Sequence, residues 1–226
     1  MLLWAALQQQ GDRFVSFDLS VIPHKNIILA VTGGIAAYKS AILVRRLKDF
    51  GFDVRVVMTQ GAQAFITPLT FQALSGNPVH TELLNPEAEA GMGHIELARW
   101  ADLVLVAPAS CDTLAKFAHG LADDLLSTLY LATKAPVWVA PAMNQQMWAA
   151  KATQRNLQSL VDDGVHVIMP DAGEQACGDV GLGRMPEPED LAHQVTQYFH
   201  QAQRALVEKF GMLAGKNVTI TAGPTR

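Results

Sequence analysis

Charge is scarce in this chain and cysteine nearly absent. Only 17% of its 226 residues are charged, the net charge is −4, and lysine and arginine never gather into a block. A basic stripe interleaved with aromatics is therefore missing, which argues against nucleic acid or an acidic membrane surface as the main partner. Cys111 and Cys177 stand alone and far apart. They form no disulfide framework and match no metal spacing, and such usage points to the cytoplasm. No apolar run reaches the roughly 20 residues of a bilayer crossing. The short apolar start, residues 1–10, has neither the basic flank nor the cleavage site of a signal peptide. No Walker A motif occurs, and the first glycine turn lacks the full Gly-x-Gly-x-x-Gly, which weakens nucleoside-triphosphate and nicotinamide readings.

What is present is apolar sequence in a strand–helix rhythm. Half of the residues are hydrophobic, enough for one substantial core. Residues 25–32 form a continuous apolar run ending at Gly33-Gly34, and a helical pattern follows from Ile35 to Phe50 with Gly51 as its stop. A second strand is expected at 52–58, ending at Thr59, with helical sequence from Gln63 as far as Pro68. Further strands are expected at 102–107, closed by Pro108, at 137–140 and at 165–169, with helices over 113–117, 123–132, 145–161 and 191–210. Residues 171–189, with four glycines and no periodicity, read as a long loop of the kind that serves as a lid. Such alternation predicts an α/β fold, a doubly wound, mostly parallel, Rossmann-like sheet in three layers. Residues 1–24 read as an N-terminal extension, 25–210 as the domain, and 211–226 as a linker and the first strand of a further domain.

In such a sheet, ligands bind beyond the carboxyl ends of the strands. Gly33, Gly34 and Ile35 stand there, as do Thr59, then Ser110, Cys111, Asp112 and Thr113, and finally Ala142, Met143 and Asn144. Glycines allow close backbone approach, while hydroxyls and helix N–H groups suit a phosphate. The set fits a mononucleotide such as FMN. The chain is organised around Pro-Val-Trp-Val-Ala-Pro-Ala-Met-Asn-Gln-Gln-Met-Trp at 136–148, a buried strand stopped by Pro141 with Asn144 at the N-cap of the next helix. The Asn144 amide is either that cap alone or also a grip for a carboxylate. His94 falls at a helix start, where it is a capping residue or a catalyst. Cys177 lies among glycines and charges without core periodicity, which favours a lid thiol over a buried hydrophobe.

Four motifs occur in order: Thr-Gly-Gly-Ile-Ala-Ala-Tyr-Lys at 32–39, Gly-His-Ile-Glu-Leu at 93–97, Pro-Ala-Met-Asn-Gln-Gln-Met-Trp at 141–148 and Ala-Cys-Gly-Asp at 176–179. Together they resemble the flavin-dependent cysteine decarboxylases, nearest the phosphopantothenoylcysteine (PPC) decarboxylase domain that bacteria fuse to a phosphopantothenate–cysteine ligase in coenzyme A biosynthesis. The likeness covers about residues 25–226, and the ending Ile-Thr-Ala-Gly-Pro-Thr-Arg resembles the opening of the ligase domain. Thr32 stands where many relatives have serine, and Cys111 where many have another residue; both changes preserve size.

The resemblance implies an enzyme that uses FMN to convert 4'-phosphopantothenoylcysteine to 4'-phosphopantetheine. It implies His94, Asn144 and Cys177 as the catalytic residues, FMN at the strand ends, and Met143, Asn144, Ala176 and Gly178 around the substrate. Asn144 would bind the substrate carboxylate, Cys177 would donate a proton from a substrate clamp, and His94 would act as a base or steer the carboxylate. The implied assembly is a homotrimer, extended to a dodecamer where the ligase domain dimerises; that domain would use CTP and magnesium. The chemistry explains the flavin: an acylated cysteine has no electron sink beside its carboxylate, and oxidising its CH2–SH carbon to a thioaldehyde creates one. Three other readings compete. A peptidyl-cysteine decarboxylase fits the Ala-Cys-Gly-Asp clamp and the ligase-like ending poorly, a flavin prenyltransferase should lack Pro-x-Met-Asn, and a non-catalytic flavin-binding regulator would have lost the catalytic residues.

Overall fold

The computed structural model describes residues 24–83, 93–176 and 178–211. The expected extension, His24 apart, the expected ligase-like strand after 211, and Cys177 lie outside the described residues. Six strands pair side by side: β1 (Asn26–Val31), β2 (Asp53–Met58), β3 (Val79–His80), β4 (Leu103–Ala109), β5 (Val137–Pro141) and β6 (His166–Val167). Their order is β3-β2-β1-β4-β5-β6 and every pairing is parallel. This is the doubly wound order expected, and the reversal between β1 and β4 opens a crevice beyond their carboxyl ends.

Nine described helices carry the chain between strands: α1 (Ala37–Asp49), α2 (Gln60–Gln63), α3 (Pro68–Ser75), α4 (His94–Trp100), α5 (Cys111–His119), α6 (Leu125–Ala132), α7 (Gln145–Ala149), α8 (Lys151–Asp162) and α9 (Pro188–Gly211). None of the described helices is long and apolar enough to cross a membrane. Residues 24–197 form one compact unit; the described part of a second is the end of α9, from Tyr198 onward.

Burial on both faces of the sheet explains why its strands read as unbroken apolar runs rather than as alternation. Ile28, Ala30, Val104, Val106 and Val139 share a cluster with residues of α4, α5, α6 and α8. The alternate residues Ile27, Leu29, Val31, Leu103 and Leu105 are buried as completely, pointing to the opposite face. The buried stripe of α1, which includes Ala37, Leu43, Val44 and Leu47, follows helical spacing.

Several boundaries differ from the sequence reading. The helix expected to end at Pro68 instead begins there, because proline lacks only an N–H that the first helical turn leaves unpaired. Strand β4 runs through Pro108 to Ala109: the pairing with β5 shifts register between Val106 and Ala109, so the missing N–H removes no ladder bond. The expected single helix 145–161 is two, divided at the extended Ala150, and Gln154 Nε2 donates to the Trp148 carbonyl at 2.6 Å across the break. Residues 171–189 are not a loop. They contain an antiparallel hairpin, β7 (Asp171–Glu174) and β8 (Val180–Arg184), and then the start of α9.

The turn into α6 is a polar clamp. Asp124 caps the helix, its Oδ1 accepting the Ser127 N–H at 2.7 Å, while Ser127 Oγ accepts the Asp124 N–H at 3.1 Å. Lys116 on α5 donates to Asp124 Oδ2 at 2.9 Å and pairs with Asp123 at 3.0 Å. Burial pushes the Asp124 carboxyl up, but the Ser127 N–H, the Lys116 ammonium and the Ser127 hydroxyl together outweigh it and hold the group below its ordinary value. Because the folded value is depressed, this stabilisation is complete above the ordinary carboxylate range, about pH 4, and drains away as the pH falls below it. Asp124→Ala is expected to lower unfolding free energy by about 1–2 kcal/mol, measured by urea denaturation at neutral pH, with a smaller difference from wild type at pH 3. An unchanged midpoint at neutral pH would contradict this account of the cap.

Candidate functional site

Two buried hydroxyls set the shape of the crevice. Thr32 Oγ1, at the end of β1, donates to the Pro108 carbonyl at 2.7 Å and accepts the Ser110 N–H at 2.8 Å. Ser40 Oγ on α1 donates to the Ala107 carbonyl at 2.7 Å. The exits of β1 and β4 are thereby fixed to one another. Gly33 permits a further close approach, since a Cβ there would lie 3.1–3.2 Å from the Gly61 backbone at the other side of the turn. At Gly34 a Cβ would meet nothing within 4 Å. One glycine serves packing and the next faces open space.

A cavity of about 680 Å³ lies over these turns, within the range of cofactor sites. Gly33, Gly34, Ile35, Ser110, Cys111, Ala142, Met143, Asn144 and Ala176 all line it, so most of the residues selected from sequence come together. Five others stand outside its lining. Thr59 caps α2, its side chain accepting the Ala62 N–H at 3.3 Å. Thr113 is buried behind Ser110, their hydroxyls 3.0 Å apart. Asp112 is exposed and 3.9 Å from Lys116. Gly178 belongs to the turn of the hairpin. His94 begins α4 and is not among the residues around the cavity of its own chain.

Asn144 caps a helix as expected, and its amide also meets a carboxylate of the chain itself, that of Asp179. The Asn144 Oδ1 accepts the Gln146 N–H at 2.8 Å and caps α7, and this fixes the orientation of the amide. Its Nδ2 then points away from the helix and donates to the Asp179 carboxylate at 2.9 Å. A side chain already holding one carboxylate has the geometry to hold another.

The hairpin forms a wall of the cavity. Met143 N–H donates to the Gly183 carbonyl at 3.0 Å, and Gln145 N–H to Gln175 Oε1 at 3.0 Å. The backbones are so close that a Cβ at Gly183, whose φ is +141°, would strike the Met143 carbonyl oxygen. Lys39, buried and also lining the cavity, donates to the Met185 carbonyl at 2.9 Å and to Glu187 Oε1 at 2.7 Å, joining α1 to the end of the hairpin. Lys39, Gln175, Asp179 and Arg184 were not selected from sequence. A signal existed for Lys39, a charge on the apolar stripe of α1; for the others no local pattern marks the partner.

The residues present fit a flavin mononucleotide. Ile35, Ala36, Met143 and Met147 offer apolar surface for a ring system, and Ser110 and the start of α5 offer hydrogen-bond donors for a phosphate. Gly34 leaves room where a side chain would intrude. Among the described residues, no group of three His, Cys, Asp or Glu side chains is placed to hold a metal ion.

Comparison with known proteins agrees with this geometry. The family model described as Flavoprotein matches residues 19–200. The coenzyme A biosynthesis bifunctional protein CoaBC of Vibrio cholerae is 58% identical over 202 residues, 89% of this chain and 48% of the relative. The chain thus spans about half the length of the curated relatives it matches. Among solved structures, a cysteine-to-serine variant of PPC decarboxylase complexed with pantothenoylaminoethenethiol is 34% identical, with a TM-score of 0.69 over 78% of this chain and 99% of that one. The FMN binding protein AtHal3 is also 34% identical, with a TM-score of 0.68 over 79% and 98%. A crevice at the β1/β4 reversal, an amide presented to a carboxylate and likeness over almost the whole of a solved PPC decarboxylase lead to one conclusion: the chain belongs to the flavoprotein family, and within it to the PPC decarboxylases.

Proposed function

We propose that this chain binds FMN in the crevice and decarboxylates 4'-phosphopantothenoylcysteine to 4'-phosphopantetheine, a step of coenzyme A biosynthesis. The observation that carries the reading is the Asn144 amide, oriented by the α7 cap with its donor edge holding a carboxylate beside the cavity. When bound, the flavin supplies a reversible two-electron oxidation of the sulfur-bearing carbon, giving carboxylate loss the electron sink that an acylated cysteine lacks. The chain's own residues hold, shield and protonate. Asn144 holds the carboxylate through neutral N–H donors, without the salt bridge that would oppose its departure. The hairpin, anchored at Met143 and Gln145, shields that carboxylate from water. Cys177 would return a proton to the decarboxylated carbon, and His94 would act as a base towards the thiol or steer the carboxylate.

We place Gly33, Gly34, Ile35, Ser110, Cys111 and Ala142, which line the cavity, around the FMN, and Met143, Asn144 and Ala176 around the substrate. Assembly as a homotrimer would let His94 of one copy serve the cavity of the next. The exposed Ile35, Tyr38 and Ile42, on one side of the start of α1, support such self-association. In the full-length protein, we propose, the remaining half joins phosphopantothenate to cysteine with CTP and magnesium, and trimers pair into a dodecamer. The compartment is the cytoplasm, which the cysteine usage favours.

The cofactor assignment is tested at Gly34. Gly34→Ala is expected to leave the melting temperature of flavin-free protein unchanged, since the added methyl meets no protein atom, and to weaken FMN binding about tenfold, read by flavin fluorescence. Unchanged FMN affinity would move the flavin away from this turn. The substrate assignment is tested by competition: with 4'-phosphopantothenoylcysteine and a peptide ending in cysteine offered together, release of carbon dioxide is expected from the former alone. Release from the peptide would favour a peptidyl-cysteine decarboxylase.

A further inference from the structure

Asp179 presents a carboxylate to the amide that the reading above reserves for the substrate. Its Oδ2 accepts the Asn144 Nδ2–H at 2.9 Å, while Asn144 Oδ1 is committed to the Gln146 N–H at 2.8 Å. The donor edge of the amide, the part able to bind a carboxylate, therefore faces Asp179. We propose that Asp179 is an internal stand-in for the substrate carboxylate, a latch that occupies Asn144 in the ligand-free site and is displaced when substrate arrives. The inference rests on the assignment of Asn144 as the carboxylate-binding group.

Three features favour displacement over a permanent contact. First, the bond lies at the exposed rim, where a charged hydrogen bond is screened and readily exchanged. Second, two carboxylates within hydrogen-bond distance of one amide repel each other, so substrate and Asp179 compete for it. Third, the turn carrying Asp179 is closed on itself: Gln175 N–H donates to the Asp179 carbonyl at 2.7 Å, and Gly178 N–H to the Gln175 carbonyl at 2.8 Å. The hairpin beneath has anchors that do not involve the Asp179 side chain, at Met143–Gly183 and Lys39–Met185. Exchange of one carboxylate for another can free the Asp179 side chain while the hairpin stays seated over the cavity.

The latch reads the one group that the reaction removes. An incoming carboxylate displaces Asp179, whereas the product has lost its carboxylate and returns the Asn144 amide to Asp179. Competition with Asp179 therefore weakens the binding of a carboxylate-bearing ligand and leaves that of the product untouched, which narrows the difference in affinity between substrate and product.

The test compares FMN-loaded wild type with Asp179→Asn by calorimetry, using two non-reacting ligands. One is 4'-phosphopantothenoylserine, which has the carboxylate but no thiol; the other is 4'-phosphopantetheine, which has the thiol but no carboxylate. The dissociation constant of the serine ligand is expected to fall on the order of fivefold in the variant, with that of phosphopantetheine unmoved. Hydrogen exchange in wild type provides a reading that needs no variant: over residues 175–179, the serine ligand should change exchange and phosphopantetheine should leave it as in the ligand-free protein. An unchanged ratio of the two constants, or identical exchange with both ligands, overturns the latch alone. A wild type that binds neither ligand overturns the substrate assignment and the latch with it.

Discussion

Asn144→Asp is expected to abolish turnover, with kcat/KM lower by at least about 1,000-fold. The size of the effect follows from what the substitution keeps and what it reverses. A carboxylate at 144 still accepts the Gln146 N–H, so the cap of α7 survives. The Nδ2 donor becomes an acceptor that carries charge, and it confronts both Asp179 and the substrate carboxylate. The variant should therefore fold and take up FMN yet release no carbon dioxide, as followed by gas release together with flavin absorbance. Asn144→Ala separates the two roles, because it removes the cap without adding repulsion. Near-normal carbon dioxide release from Asn144→Asp would reduce Asn144 to a helix cap and leave the substrate carboxylate without its proposed partner.

Cys177→Ser is expected to retain oxidation and decarboxylation while losing the reduced product. A thiol titrates near pH 8.5 and can deliver a proton to a carbanion-like carbon, whereas a serine hydroxyl is far less acidic. The enethiolate left by carbon dioxide loss would then leave as an enethiol, two hydrogens lighter than 4'-phosphopantetheine. Mass spectrometry of the product decides the matter: enethiol in stoichiometric yield assigns the proton to Cys177, and ordinary amounts of reduced product remove Cys177 from the mechanism.

The legible parts of this chain are those where burial leaves a period in the sequence. Strands β1 and β4 are covered on both faces, so 26–31 and 103–109 are almost wholly apolar and could be found by eye. The turns after them followed from the strand ends, and the cavity does lie over Gly33-Gly34, Ser110 and Ala142. The hairpin was illegible because β7 is Asp-Ala-Gly-Glu, with no apolar face to alternate. Its glycines answer instead to close contact with Met143 and Gln145, which are distant in sequence. For the same reason Asp179 could not be paired with Asn144, nor Lys39 with Met185, before the chain was folded. The division at Ala150, whose backbone is extended, has no glycine or proline to announce it, and the helices on either side each bury an apolar residue, Trp148 and Leu157.

The most direct test of the account is the mass of the product formed when the purified chain, supplied with FMN under reducing conditions, meets 4'-phosphopantothenoylcysteine. The account predicts loss of carbon dioxide and nothing else, a product with the mass of 4'-phosphopantetheine and flavin that ends oxidised. A folded, yellow protein that leaves this substrate intact would contradict it.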